Sequence, residues 1–527
     1  MSGTPTTGFF RAFLSSVLGT GLSRVLGALR DVVIASYFGA GAATDAFYIA
    51  FTIPNIFRRF VADEGLTGAM IPALSLAEKD SGERAARTLA DQVLGVLLLA
   101  NVVLCVLGIV FAEAIVLAFA SSYAEDPEQL ALAVQLTRWL FPFLAMVSMV
   151  SYFEGLFNMR GAFFIPKVAP GLVSLGIVLA VTLTGTWWAH PAHALVAGVL
   201  AGGVAHVLLH LPWVGSVWGK VRPAWGIRDP RLRGVLREMG KVIAIGVFAQ
   251  LNILVLRQLA VSAGYGGVSW YWNANRVVDL LQGVIAVAIG SAILPGLARS
   301  AARGNIAELR DALHGGLRLA GWLLVPAAGG LYVFSVPFVS ILFRHGAYTW
   351  DDTLVTASTV QAMIGFFLAV AGINIVRRVY YAINDRTTLL AVGATGVLVT
   401  LGLGLTLIPT HGIPGLGYAL SIATGLQLIA YLLVLQMRLE GGLQLGRLAP
   451  HSLQVASACI PSLMLLYFAK GYGDWALGPA DPNNLVVFLL AMLLSVGAYL
   501  VTSRLLRIPE LMTIGGRISR ALWAKQR

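Results

Sequence analysis

The chain has 527 residues, of which 57% are hydrophobic and only 12% charged, with a formal net charge of +12. A soluble domain carries about 25% charged residues, so a soluble enzyme or nucleic-acid-binding module is excluded, and a mean hydropathy of +0.80 indicates an integral membrane protein. The two cysteines, Cys105 and Cys459, fall in apolar stretches, which argues against a disulfide framework or a cysteine metal cluster.

Apolar windows of the length that crosses a bilayer, about 20 residues, recur to the end of the chain. In order they are 9–38, 45–78, 90–120, 127–158, 166–186, 192–215, 236–263, 268–300, 311–343, 352–384, 387–408, 414–437, 450–469 and 484–506. None alternates with period two, so helices rather than barrel strands are expected. Windows longer than a crossing are expected to tilt, bend or project past the bilayer. Residues 1–10 contain no lysine or arginine and no A-x-A site follows them, so a cleaved signal peptide is not expected.

The loops between these windows alternate in charge. Lys79, Arg84, Arg87, Arg160, Lys167, the run from Lys220 to Lys241, Arg299, Arg303, Arg377, Arg378, Arg438 and the tail from Arg504 onward lie on one side, against Arg344 and Lys470 on the other. The positive-inside rule then places both termini in the cytoplasm and gives fourteen transmembrane helices.

Windows two and eight share a weak internal repeat. AFY and GAMIPAL (46–48, 68–74) match SWY and SAILPGL (269–271, 291–297) at one common offset. The expected fold is therefore an all-α integral membrane protein in which two six-helix lobes, related by a parallel pseudo-two-fold, face a central cavity, with two further helices at the C-terminus. The expected divisions are an N-lobe over 1–217, a basic cytoplasmic linker over 218–241, a C-lobe over 242–440 and the last two helices with a basic tail over 441–527.

Arg24, Arg30, Arg58, Arg59, Arg138, Arg257 and Arg276 fall inside the windows. At 1.5 Å of rise per residue, Arg24 and Arg58 sit about 20 Å below the outer surface, and Arg30, Arg257 and Arg276 about 10 Å. Arginines at such depths face a bundle interior or a wet cavity and mark a substrate path. Acids stand near them: Asp31, Asp45, Asp63, Glu64, Glu154 and Asp279. Arg24 and Asp31 share a helical stripe, and Arg276 and Asp279 are three apart. Two readings compete. The charges are register-fixing ion pairs, or the arginines converge on a multiply charged anion such as a diphosphate, for which the guanidinium fork is suited.

LSRVLGALRD (22–31) followed by FGAGAATDAFYIAFTIPNIFRRF (38–60) resembles the MurJ/MviN family of lipid II flippases. Looser matches follow in order: GLFNMRGAFFIP (155–166), NRVVDLLQG (275–283), ILPGLARS (293–300), FRHGAYT (343–349) and YYAINDRTT (380–388). The resemblance implies a fourteen-helix fold of the MOP exporter superfamily with a V-shaped cavity and a groove by the last two helices for a polyprenyl tail. The implied activity moves lipid II, the undecaprenyl-diphosphate-linked peptidoglycan precursor, from inner to outer leaflet of the bacterial inner membrane.

On the family pattern, substrate-binding residues fall on Arg24, Arg30, Asp45, Arg58 and Arg276. Asp31, Arg59, Asp63, Glu64, Arg257 and Asp279 are expected to gate or to pair charge. The sequence departs from the pattern at Leu281, where a proline is usual, and at Asn275, where some members carry an acid. The seventh window offers Gln250, Asn252 and Arg257 but no carboxylate, so the sodium site of some members is not expected.

The expected partners are lipid II, membrane lipids and cell-wall synthesis proteins, with no nucleic acid, no cofactor and a monomeric state. Rival readings are a flippase for another polyprenyl-diphosphate oligosaccharide, an ion-coupled drug exporter, which calls for fewer arginines and more carboxylates, and a non-transporting wall-synthesis scaffold. An enzyme is disfavoured. His206 and His210 have the i, i+4 spacing of a metal pair, but no acid is expected to accompany them and no HExxH or P-loop appears, so they are read as packing histidines. The basic amphipathic tail 510–527 is suited to lie along the inner leaflet.

Overall fold

The computed structural model describes residues 5–58, 66–162, 164–185, 187–188, 190–283, 306–383, 385–439 and 441–512. Among these the regular elements are all helices. They divide into two compact units, Met1–Ser269 and Trp270–Arg527.

The first unit contains α1 (Pro5–Phe38), α2 (Ala42–Arg58), α3 (Thr67–Val110), α4 (Ala112–Phe119), α5 (Pro127–Met159), the short α6 (Phe164–Val168), α7 (Gly171–Thr184), α8 (Ala192–Val217) and α9 (Pro230–Val261). The helix α10 (267–283) begins at its end. The second unit continues with α11 (Ile306–Val333), α12 (Ser335–Phe343), α13 (Trp350–Ala362), α14 (Ile364–Ala382), α15 (Arg386–His411), α16 (Ile413–Arg438), α17 (Ala449–Ala469) and α18 (Pro482–Leu505). Among the described residues, ten helical stretches are long and apolar enough to cross a membrane.

Helix starts follow a repeated local rule. Asp126, Asp229 and Asp481 each precede a proline, and each side chain accepts a hydrogen bond from a first-turn amide while the proline occupies the first helical turn. Thr349 and Asp352 form a reciprocal capping box at α13. Glycine sets the one internal break in α3. Gly82 has φ 81° and ψ 174°, a conformation that side-chain-bearing residues rarely adopt, so the element is two helices meeting at a kink. That kink lies between the second and third expected windows.

In the first unit α5 is the central post, packed by α2, α3 and α8. Helices α7 and α8 approach backbone to backbone. A Cβ at Gly198 would lie 2.5 Å from Ile177 Cα, and one at Gly202 would lie 2.6 Å from Val173 Cα. Small residues allow this contact, which takes the place of hydrophobic driving force between helices in lipid. The basic loop before α9 lies on α3: Ala224 N donates to Asp91 O at 3.0 Å and Arg222 N to Asp91 Oδ1 at 3.0 Å. Pro230–Lys241, the second half of the expected linker, is already the start of α9.

In the second unit α16 packs on α13, α14 and α15, while α17 pairs with α18 and with α11. Large apolar side chains stand exposed on α17 and α18, including Leu453, Ile460, Met464, Leu489, Leu493 and Leu494. Such a surface is suited to lipid rather than water.

Candidate substrate pocket

A pocket of about 500 Å³ opens within the first unit between α1, α2, α5, α6, α7 and α8. Helix α1 supplies Ser23, Arg24 and Arg30, and α2 supplies Phe51 and Asn55. On α5, Val147, Val150, Ser151 and Glu154 form one face at i, i+3, i+4 and i+7 spacing. Lys167 comes from α6, Ser174 from α7 and His206 from α8. The charged side chains on the wall are Arg24, Arg30 and Lys167 against Glu154, so basic groups outnumber acidic ones.

The two arginines of α1 have different environments. Arg30 is buried, and its Nε and Nη2 both donate to Asp31 Oδ1, at 2.9 and 2.7 Å. Its guanidinium lies 5.9 Å from the centroid of the Phe51 ring, within cation–π range. Arg24 is exposed on the pocket wall. The acid of the stripe, Asp31, is thus engaged by its sequence neighbour Arg30. Such a pair holds the Arg30 fork in one orientation, because Asp31 is completely buried.

Asp45, expected to touch substrate, is placed elsewhere. It lies in the first turn of α2 with 2% exposure. Its carboxyl accepts from Gly266 N at 2.7 Å, Ser269 N at 2.8 Å and Ser269 Oγ at 2.6 Å. It therefore ties α2 to the chain entering α10. Ser269 Oγ also lies 2.8 Å from Thr44 Oγ1.

Arg257 is buried on α9. Arg276 and Asp279 belong to the second unit, on α10, where Asn275 Nδ2 donates to Asp279 Oδ2 at 2.8 Å. Arg58 ends α2, while Arg59, Asp63 and Glu64 lie outside the described residues, as does the tail beyond 512.

Two features of the pocket escape a linear reading. Lys167 follows directly on the GLFNMRGAFFIP stretch and reads as an inner-loop cation, but the turn of α6 brings it to the wall. Glu154 has no spacing relation to His206 and His210, yet the packing of α5 on α8 gathers the three.

A chain whose described residues form membrane-length apolar helices around a cationic internal pocket has the construction of a membrane transporter for anionic cargo. A family model for the lipid II flippase MurJ matches residues 34–480. The chain belongs to the MurJ family, a family of transporters rather than enzymes, and the resemblance read from its motifs is upheld. It is 30% identical over 500 residues to the lipid II flippase MurJ of Burkholderia cenocepacia, covering 93% of this chain and 95% of that one. It is also 30% identical over 402 residues to a probable lipid II flippase MurJ of Bdellovibrio bacteriovorus, covering 76% of each. Among solved structures, a lipid II flippase MurJ in an inward closed conformation matches with a TM-score of 0.76 at 22% identity, over 93% of this chain and 98% of the other. An inward-facing multidrug resistance MATE transporter of the MOP superfamily matches with a TM-score of 0.66 at 15% identity, over 81% and 98%. At these identities the structural matches speak to fold.

Proposed function

We infer that this protein is a lipid II flippase, carrying the undecaprenyl-diphosphate-linked peptidoglycan precursor from the inner to the outer leaflet by alternating access. The observation that carries the reading is the pocket wall on which Arg24, Arg30 and Lys167 outnumber Glu154. A diphosphate needs several donors in a low-dielectric space, and guanidinium groups supply them as paired N–H forks. A cationic drug would be repelled by the same wall, which sets the drug-exporter reading behind this one.

In the proposed cycle Arg24, exposed on the wall, meets the diphosphate first, and Arg30, oriented by Asp31, receives it deeper. The lipid tail stays in the bilayer. Arg58 and Arg276 are further proposed substrate-binding residues, and Arg59, Asp63, Glu64, Arg257 and Asp279 balance charge as the helices move. Asp45 acts as a latch through its bonds to Gly266 and Ser269, closing that end of the path until they break. Membrane potential assists the return of the cationic pocket, each charge moved through 100 mV being worth about 2.3 kcal/mol.

The same proposal sets the protein as a monomer in the bacterial inner membrane, crossing fourteen times with both termini cytoplasmic. Its lobes span 1–217 and 242–440 around a central cavity, joined by the 218–241 linker and followed by two helices within 441–527. Flipping of labelled lipid II in proteoliposomes, with and without an imposed potential, tests this reading. Arg24→Ala is expected to lose transport while keeping its fold, and an Arg24→Ala protein that flips at the wild-type rate would overturn the assigned role. Pocket variants that fully complement a depletion strain would point instead to a scaffold.

A further inference from the structure

Three side chains with metal-ligand chemistry meet beside the pocket. Glu154 on α5 and His206 and His210 on α8 bring their ligand atoms within 4.8 Å of one another. The histidines are one turn apart on one face of α8, the spacing by which a helix presents two imidazoles to one ion.

The state of His210 supplies the second, independent sign. Its side chain is completely buried, and Nδ1 lies 2.8 Å from the backbone oxygen of His206. A carbonyl oxygen only accepts, so Nδ1 carries the proton and Nε2 presents a lone pair. That Nε2 has no hydrogen-bond partner among the described residues. A buried acceptor left in this way is costly, and a metal ion is the ligand an imidazole lone pair suits best. The Nδ1–carbonyl bond is the kind of outer contact that fixes the tautomer of metal-bound histidines. The ring is also held in plane, stacked on Phe157 with centroids 5.5 Å apart and 18° between planes.

We propose that Glu154, His206 and His210 form a binding site for a divalent transition metal of the zinc type, with its open coordination position turned to the pocket. Two imidazoles and one carboxylate make the three-ligand set of open zinc sites. The two nitrogens select against sodium, magnesium and calcium, which take oxygen ligands. Bonds of about 2.0–2.1 Å in a tetrahedron place ligand atoms about 3.3 Å apart. The three ligand atoms lie within 4.8 Å of one another, so binding draws the side chains of Glu154, which is only partly buried, and of the two histidines together to that size. Glu154 and His206 themselves line the pocket, so the fourth position opens into the space that Arg24 and Lys167 also face. This site stands whether or not the cargo is lipid II.

The test uses the full-length protein in detergent, purified without a polyhistidine tag, dialysed against buffered zinc and assayed for bound metal by mass spectrometry. One zinc per chain is expected, with visible d–d bands of a four-coordinate ion when cobalt replaces it. Glu154→Gln and His210→Gln, each removing a ligand outright, are expected to weaken binding by more than the about ten- to a hundred-fold that loss of an outer contact costs. Zinc is expected to raise the melting temperature of the wild type and not of Glu154→Gln, a comparison that keeps the result readable if His210→Gln misfolds. A wild-type protein that retains no zinc above background, or a Glu154→Gln protein that binds zinc as tightly as wild type, overturns the proposal.

Discussion

Replacing Asp45 by asparagine removes one acceptor from a group that serves three donors, Gly266 N, Ser269 N and Ser269 Oγ, at 2.6–2.8 Å. The amide keeps one oxygen and places an NH₂ where the other stood. Whichever way it turns, a backbone N–H of the loop faces a donor. A lost hydrogen bond costs about 1 kcal/mol and a stranded buried N–H a further 1–3 kcal/mol, so the tie between α2 and the start of α10 weakens by about 2–4 kcal/mol. At 1.4 kcal/mol per decade, opening becomes about 30- to 700-fold more frequent.

Hydrogen–deuterium exchange measures this directly. The amides of 262–270 are expected to exchange faster by that factor, while those of the glycine-packed α7 and α8 keep their protection, because local opening governs exchange at such a tie. Ser269→Ala is expected to show a smaller change, about tenfold or less, and the double variant less than the sum, since the two groups bond each other. If exchange in 262–270 is unchanged in Asp45→Asn, or rises equally along the whole chain, the reasoning fails. Flipping by Asp45→Asn is expected to fall with the loss of the latch.

Other outcomes follow from the same geometry. Arg24→Lys is expected to retain partial flipping where Arg24→Ala retains almost none, since an ammonium keeps charge but loses the two-pronged fork; equal rates for both in the proteoliposome assay would contradict this. Gly202→Val forces a side chain to within 2.6 Å of Val173 Cα, and overpacking of this kind costs about 1–3 kcal/mol. A lower melting temperature in detergent is expected, against no change for Gly215→Ala, where a Cβ meets open space. Asp385, at the start of α15, is held below the usual carboxylate range by hydrogen bonds from Thr388 and by the Arg438 charge. Its contribution is present above the unfolded value of about 4 and is lost as pH falls through the lowered folded value. The melting-temperature gap between wild type and Asp385→Asn is therefore expected to close in acid and to be widest near neutrality.

Apolar windows were readable because lipid imposes length and composition on each segment. That constraint placed helix over each expected segment among the described residues, but it says nothing of where a helix kinks. Gly82, which splits α3, is one of several glycines with positive φ, and no spacing rule singles it out as the break inside a helix. That Arg24 and Arg30 reach an internal pocket was legible because a guanidinium in an apolar run needs a reason. Their environments were not. Stripe geometry joins Arg24 to Asp31, yet the long Arg30 side chain folds back to its neighbour, a contact that spacing rules do not consider. Asp45 carried a family motif, but its actual partners are some 220 residues away. Glu154 stood among the acids near the arginines, but its meeting with His206 and His210, like the place of Lys167 on the wall, depends on how helices pack.

The glycine contacts at Gly198 and Gly202 make α7 and α8 one inelastic slab, since neither helix can yield without its neighbour. The side of the pocket bearing Ser174 and His206 is therefore a fixed jamb. Room for a bulky headgroup must then come from the other helices of the pocket wall, α1, α2 and α5. A blocking molecule gains most by bracing against the jamb and propping α1 open, where a modest span of rigid atoms would halt the whole swing.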